Sequence, residues 1–275
     1  MTSTLLVVGS AALDDLEGSF GHVRDEPGGS AIYFALAASL LMPVQVHCPI
    51  GLADAERFLR LFEGREVDLS GLSLLDAPTY RWSARQAAGV TSDLGSRDSI
   101  YDRWSPSPPA GYAGCGFVGS MRPDRQLEAA RRLPQASLLA GDAMLSYLVR
   151  LPDEVTELLS LCDWYFATED ELRALGGDPL RPDRFRLQRR LHGLVVKRGP
   201  RGASVYTERG EVHAGAAASR PVVDLTGAGD ALAGGFLSRW LRLGGGEDSL
   251  REALAWGLEC ASRAICGIGV RGLLS

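Results

Sequence analysis

Asparagine is absent from these 275 residues, and lysine occurs once, as Lys197, against 28 arginines. The lone lysine lies between Val196 and Arg198, so the Gly-Lys-Ser/Thr of a P-loop cannot be built. None of His22, His47, His192 and His213 opens the His-Arg-Asp of a protein-kinase catalytic loop, and their scatter rules out a local His-x-x-x-His zinc site. Gly9 is followed by Ser10-Ala11-Ala12-Leu13-Asp14, which lacks the further glycines of a dinucleotide-binding turn. No apolar run reaches ~18 residues without charges or turn formers, and the chain starts directly in a strand, so neither a membrane span nor a secretory signal is expected. A net charge of −5 leaves no electrostatic footprint for nucleic acid or an anionic membrane. The five cysteines are odd in number and lack Cys-x-x-Cys spacing, which reads as reduced core thiols in a cytoplasm.

What is present centres on Val222 to Phe236, which reads as a short strand, a Gly227-Ala228-Gly229 turn and an amphipathic helix opening on Asp230. Small residues in the turn let backbone N–H groups converge, and the helix behind adds the positive end of its dipole, so the turn suits an anion such as a phosphoryl group. Leu232, Phe236, Trp240 and Leu243 share one helical stripe that anchors the helix in a core. Asp230 is then either a base facing that anion or a plain capping acid.

Asp-x-Thr-Gly-Ala-Gly-Asp over 224–230, followed by a helix carrying Gly-Gly, resembles the C-terminal signature of the ribokinase-like (PfkB) carbohydrate kinases. The resemblance implies that the backbone of Gly227, Ala228 and Gly229 forms an anion hole and that Asp230 takes the proton from the acceptor hydroxyl. Gly9-Ser10-x-x-x-Asp14 resembles the family's N-terminal motif, whose Asp binds acceptor hydroxyls, and Gly28-Gly29-Ser30 its glycine pair beside the sugar. Tyr33 stands where many members carry Asn. The strand ending at Lys197 and the turn holding Gly199 and Gly202 are similar to the segment beside ATP, with Thr226 and Gly267 expected at the same nucleotide. Thr168 and Glu171 fall on the family's Asn-x-x-Glu, implying Mg²⁺ near Glu171, and Asp224 falls where a monovalent cation such as K⁺ is implied. Because Asn is missing throughout, Thr168 is weak evidence for lost activity. Lys197, the retained lysine, reads either as a compact ammonium near phosphates or as a turn residue left by chance.

Strands are expected at 4–9, 44–48, 116–119, 136–140, 163–167 and 193–197, and helices at 30–42, 53–63, 124–132, 152–161, 169–175, 228–243 and 249–264. This alternation favours an α/β fold with a mainly parallel sheet flanked by helices, and the resemblance implies that it is of the ribokinase-like kind. Residues 12–27 and 79–104 break the rhythm and read as a small β lid, leaving 1–275 as a single domain. The resulting expectation is an ATP-dependent kinase acting on a hydroxyl of a small sugar or polyol, with room for a homodimer through the lid. Two alternatives stand beside it: a nucleoside kinase, with a stacking aromatic from Tyr33, Phe20 or Trp82, and a catalytically silent sugar- or nucleotide-binding relative.

Overall fold

The structure, a computed structural model, describes residues 4–217 and 220–274. Its strands are β1 (Leu5–Val8), β2 (Ala12–Gly18), β3 (Gly21–Gly28), β4 (Val44–Gly51), β5 (Val67–Leu75), β6 (Tyr80–Ala87), β7 (Val90–Arg97), β8 (Cys115–Val118), β9 (Leu138–Gly141), β10 (Trp164–Thr168), β11 (Gly193–Lys197), β12 (Ala203–Thr207) and β13 (Gly210–Ala214). The helices are α1 (Ser30–Ala38), α2 (Ala55–Arg60), α3 (Pro123–Arg131), α4 (Leu145–Arg150), α5 (Pro152–Leu161), α6 (Glu169–Ala174), α7 (Pro182–Arg189), α8 (Ala228–Arg242), α9 (Leu250–Ala264) and α10 (Arg271–Leu274).

Nine strands form one sheet in the order β13-β12-β11-β10-β9-β8-β1-β4-β5. From β11 to β5 every pairing is parallel, while β12 and β13 close the edge as an antiparallel hairpin. The chain winds from β1 through β4 to β5 in one direction and from β8 to β11 in the other, so strand order reverses beside β1. Ligands of open α/β sheets bind at such a switch point, outside the carboxyl ends of the strands.

Two hydrophobic layers enclose the sheet, as expected of strands buried on both faces. One contains α1, which is buried along its whole length, with α8 and α9 beside it. Gly234 brings the backbone of α8 against the Phe34 carbonyl, and Gly235 brings it against Cys260 and Gly257 of α9. The paired glycines thus set two helix contacts, and Phe236 and Trp240 fill the layer beneath with Trp164. Larger residues at 234 or 235 would wedge α8 away from the sheet end.

The parallel α/β class is as expected, with local differences. β5, α4, α7 and the β12–β13 hairpin add to the expected elements. β5 escapes notice because none of its residues is fully buried and Asp68, Ser70, Gly71 and Ser73 interrupt its apolar run. α1 ends at Ala38, four residues short of the expected end. Residues 12–28 and 80–97 pair into a separate four-stranded sheet, β3-β2-β6-β7, while Ile100, Tyr101 and Trp104 pack into the main core.

Candidate active site

A cavity of about 990 Å³ lies where the carboxyl ends of the parallel strands meet the second sheet. That is the upper end of the range for small-molecule sites, large enough for two ligands of which one is a nucleotide. After β1 and β8, two serines lock the strand ends to α1. The Ser10 amide donates to Ser30 Oγ (3.2 Å), the Ser30 amide donates to Ser10 Oγ (3.0 Å), and both hydroxyls donate to the Ser120 carbonyl at 2.8 Å. Gly29, at φ 101°, turns the chain into α1 with its Cα facing the backbone of Ser10 to Ala12. Any side chain there would be strained and would collide with that backbone.

Asp14 projects from β2 and is almost fully buried, its carboxyl lying against Gly28. Burial, and then the charges of Asp224, Asp15, Asp230 and Glu26, push its pKa well above the usual carboxylate range. Tyr33 lines the same end, its ring packed over Gly227 and its hydroxyl buried without a hydrogen-bond partner. Gly227 needs its φ of 72° to turn the chain into α8, and a Cβ there would enter the Tyr33 ring.

Asp230 sits in the first turn of α8 and lines the cavity with Thr226 and Gly227 to Gly229. Burial raises its pKa, the Lys197 ammonium and its own backbone N–H pull it back, and Glu171 raises it again, leaving it at about 6. Lys197, the last residue of β11, is only 13% exposed at its side chain, and its Nζ lies 3.8 Å from Glu171 Oε2. Burial opposes its charge, but Glu171, Asp142 and Asp230 outweigh that and hold its pKa above the ordinary lysine value. It is therefore a buried site cation and no solvated turn residue.

Thr168 caps α6: its Oγ1 accepts from the Glu171 amide (3.2 Å), and its own amide donates to Glu171 Oε2 (2.6 Å). This capping box fixes Glu171 at the cavity wall. Asp142 was not foreseen. It follows β9, is 4% exposed, carries a buried Oδ1 with no partner, and is pushed well above the carboxylate range by burial and then by Asp230. A carboxylate immediately after a parallel strand is the signal that would have found it.

Gly199 and Gly202 line the opposite end with Val222, Val223, Leu258, Ala261 and Ile265, an apolar wall suited to a flat base. Three expected site residues stand apart from the lining. Gly28 contributes from behind Asp14, and Gly267 packs against Arg271 and Gly272. Asp224 is fully buried, with its carboxylate accepting from Thr226 N (2.9 Å), Gln86 Nε2 (2.6 Å) and Gly269 N (2.8 Å). Its acceptor sites face N–H donors, a donor set that does not fit a bound monovalent cation. Phe20 also lies off the lining, whereas Trp82 is on it, beside Asp14 in the β2–β6 register.

Comparison with known proteins decides the family. The model of the pfkB family carbohydrate kinases matches residues 115–274, more than half of the chain. The chain belongs to that family. It is 30% identical over 259 residues to the ATP-dependent ribose-1-phosphate kinase of Halopiger xanaduensis, covering 90% of this chain and 85% of the relative. It is 27% identical over 274 residues to the cytidine kinase of Thermococcus kodakarensis, covering 95% of each. Among solved structures, aminoimidazole riboside kinase from Salmonella enterica, complexed with aminoimidazole riboside and an ATP analogue, superposes with a TM-score of 0.76 at 25% identity, over 99% of this chain and 96% of that one. The chain is thus an ATP-dependent sugar or nucleoside kinase of the ribokinase fold. In this pfkB kinase no group of three or more His, Cys, Asp or Glu side chains among the described residues could hold a metal ion.

Proposed function

We propose that this kinase transfers the γ-phosphate of ATP to a hydroxyl of a small neutral polyhydroxy compound, a sugar, polyol or nucleoside, held by Asp14. The observation that carries the reading is the position of Asp230, in the first turn of α8 behind the Gly227–Gly229 turn, with Lys197 at one side and Asp14 across the cavity. Asp230 accepts the proton of the attacking hydroxyl. Backbone N–H groups of Gly227 to Gly229 and the α8 dipole face the developing negative charge. Lys197, whose Nζ lies 3.0 Å from the place a Cβ on Gly229 would take, supplies a full positive charge beside them.

The apolar wall and the Gly199 to Gly202 turn fit ATP. The unpartnered Oδ1 of Asp142 and the fixed Glu171 fit Mg²⁺ held mainly by phosphate oxygens, since Mg²⁺ in kinases needs only one or two protein carboxylates. When bound, Mg²⁺ neutralises charge on the triphosphate. The second sheet is read as a lid: Asp14, Tyr80, Trp82 and Gln86 line the cavity from it and exclude water from the transfer. Its outer face, where Arg81 pairs with Asp25, is the surface read as a homodimer contact, and the five unpaired cysteines suit a reducing cytoplasm.

Charge at the acceptor end separates neutral acceptors from phosphorylated ones. Arg81 and Arg85 pair with Asp25 and Glu17 and do not line the cavity, whose cationic lining is Lys197 and Arg220 among the described residues. A second phosphate beside Asp14 would meet carboxylates uncompensated. Trp82, half-buried next to Asp14, favours a riboside whose base stacks on it, as a second reading.

Asp14→Ala is expected to raise the acceptor KM by roughly 10- to 100-fold, the equivalent of one buried hydrogen bond lost with its partner left unsatisfied, and to leave the KM for ATP unchanged. A coupled ADP assay across sugars, polyols, nucleosides and ribose 1-phosphate tests both points. A sugar phosphate as best substrate, or an acceptor KM indifferent to Asp14→Ala, overturns the reading.

A further inference from the structure

Gln86, near the end of β6 in the second sheet, reaches into the stretch that precedes the anion turn. Its Nε2 donates to Asp224 Oδ1 (2.6 Å) and Thr226 Oγ1 (3.1 Å), while its Oε1 accepts from the Leu225 amide (2.9 Å). The amide orientation is set by these partners: a flipped group would put a carbonyl against the carboxylate and an NH₂ against an N–H. Two oxygens of the loop therefore converge on one nitrogen that comes from the other sheet. Asp224 is fully buried, and its remaining bonds come from the Thr226 and Gly269 amides. A carboxylate buried this deeply needs its hydrogen bonds filled.

We infer that Gln86 is a positioning residue, one that sets residues 224–226 and the Gly227–Gly229 turn behind them when the second sheet lies over the cavity, and that its amide stands in for a monovalent cation between Asp224 and Thr226. The inference rests on the proposed kinase reaction for its rate readout. Two consequences follow from the geometry. The anion turn is fully ordered only with the lid down, which ties phosphoryl transfer to closure over the acceptor. Turnover also does not depend on K⁺, because the amide already occupies the space between the two oxygens.

The test compares wild type with Gln86→Ala in a coupled ADP assay, with tetramethylammonium as the sole monovalent cation and then with added K⁺ or NH₄⁺. Wild type is expected to turn over equally in all three. Gln86→Ala is expected to lose about 10- to 100-fold in kcat, as for a misplacement of ~1 Å at the reacting centre, with the KM for ATP little changed. NH₄⁺, a small donor able to bond both oxygens, should restore much of that loss, which a merely structural defect would not allow. Hydrogen exchange at residues 225–227 reads the same contact without turnover: protection falls in Gln86→Ala even if no acceptor is phosphorylated, a result that would count against the kinase reading and not against Gln86. Strict K⁺ dependence of wild type, an unchanged kcat in Gln86→Ala, or unchanged protection at Leu225 overturns the inference.

Discussion

Asp230→Asn is expected to lose roughly 10²- to 10⁴-fold in kcat while nucleotide affinity stays within a few fold. Asparagine keeps the shape of the side chain at the start of α8, so the Gly227 to Gly229 turn is preserved in outline. It cannot accept the proton of the acceptor hydroxyl. With its pKa at about 6, the native carboxylate is mostly ionised at neutral pH yet basic enough to take up that proton. The sign of the pH dependence follows. With Asp230 as the proposed base the ionised form is the active one, so kcat/KM should fall as pH drops through about 6 and level off above it. Initial rates from pH 5 to 9 give the wild-type limb, and the residual rate of Asp230→Asn should lose it. Near-wild-type turnover of the variant would remove Asp230 from the chemistry.

The part of the site that could be read in advance is the part whose chemistry is local. The Gly227-Ala228-Gly229 turn, the α8 stripe and Asp230 are contiguous, so turn, helix start and acid are visible together in one stretch of chain. The parallel sheet was legible for a similar reason, since buried strands read as short apolar runs. Asp142 was not legible, because it owes its importance to Lys197 and Asp230, which the fold brings to it from β11 and from the start of α8. Gln86 was hidden differently. A strand that alternates like an exposed one shows that 82, 84 and 86 share a face, but not that the face lies over a loop more than a hundred residues away. The same alternation puts Arg81 and Arg85 on the opposite face, and the structure, not the pattern, shows that this face is turned away from the cavity, so neither arginine compensates an acceptor phosphate. Asp224 shows the limit of a motif carried over by resemblance. Its neighbours in sequence match, while one of the three donors to its carboxylate, Gln86, comes from the second sheet.

Lys197→Met should be nearly as damaging as loss of the base, with a signature of its own. Methionine roughly fills the volume of the lysine stem, so the strand end and the packing against Gly229 are retained while the ammonium is lost. That ammonium faces Glu171, Asp142 and Asp230 together, and removing it leaves three carboxylates around the proposed phosphate position. Loss of one preorganised charge at a transferring group costs on the order of 10²- to 10³-fold in kcat. The second effect acts on Asp230. Lys197 is what pulls the Asp230 pKa down against burial, so without it the acid limb of the pH–rate profile should move from about 6 toward neutral pH. Lys197→Arg keeps the charge and should leave the limb in place, yet its longer planar fork cannot take the position of a compact ammonium and the KM for ATP should rise. Rate against pH for the three proteins separates these effects: a Lys197→Met limb still at about 6 would show that this cation does not tune the base, and a kcat within a few fold of wild type that it does not act on the phosphates.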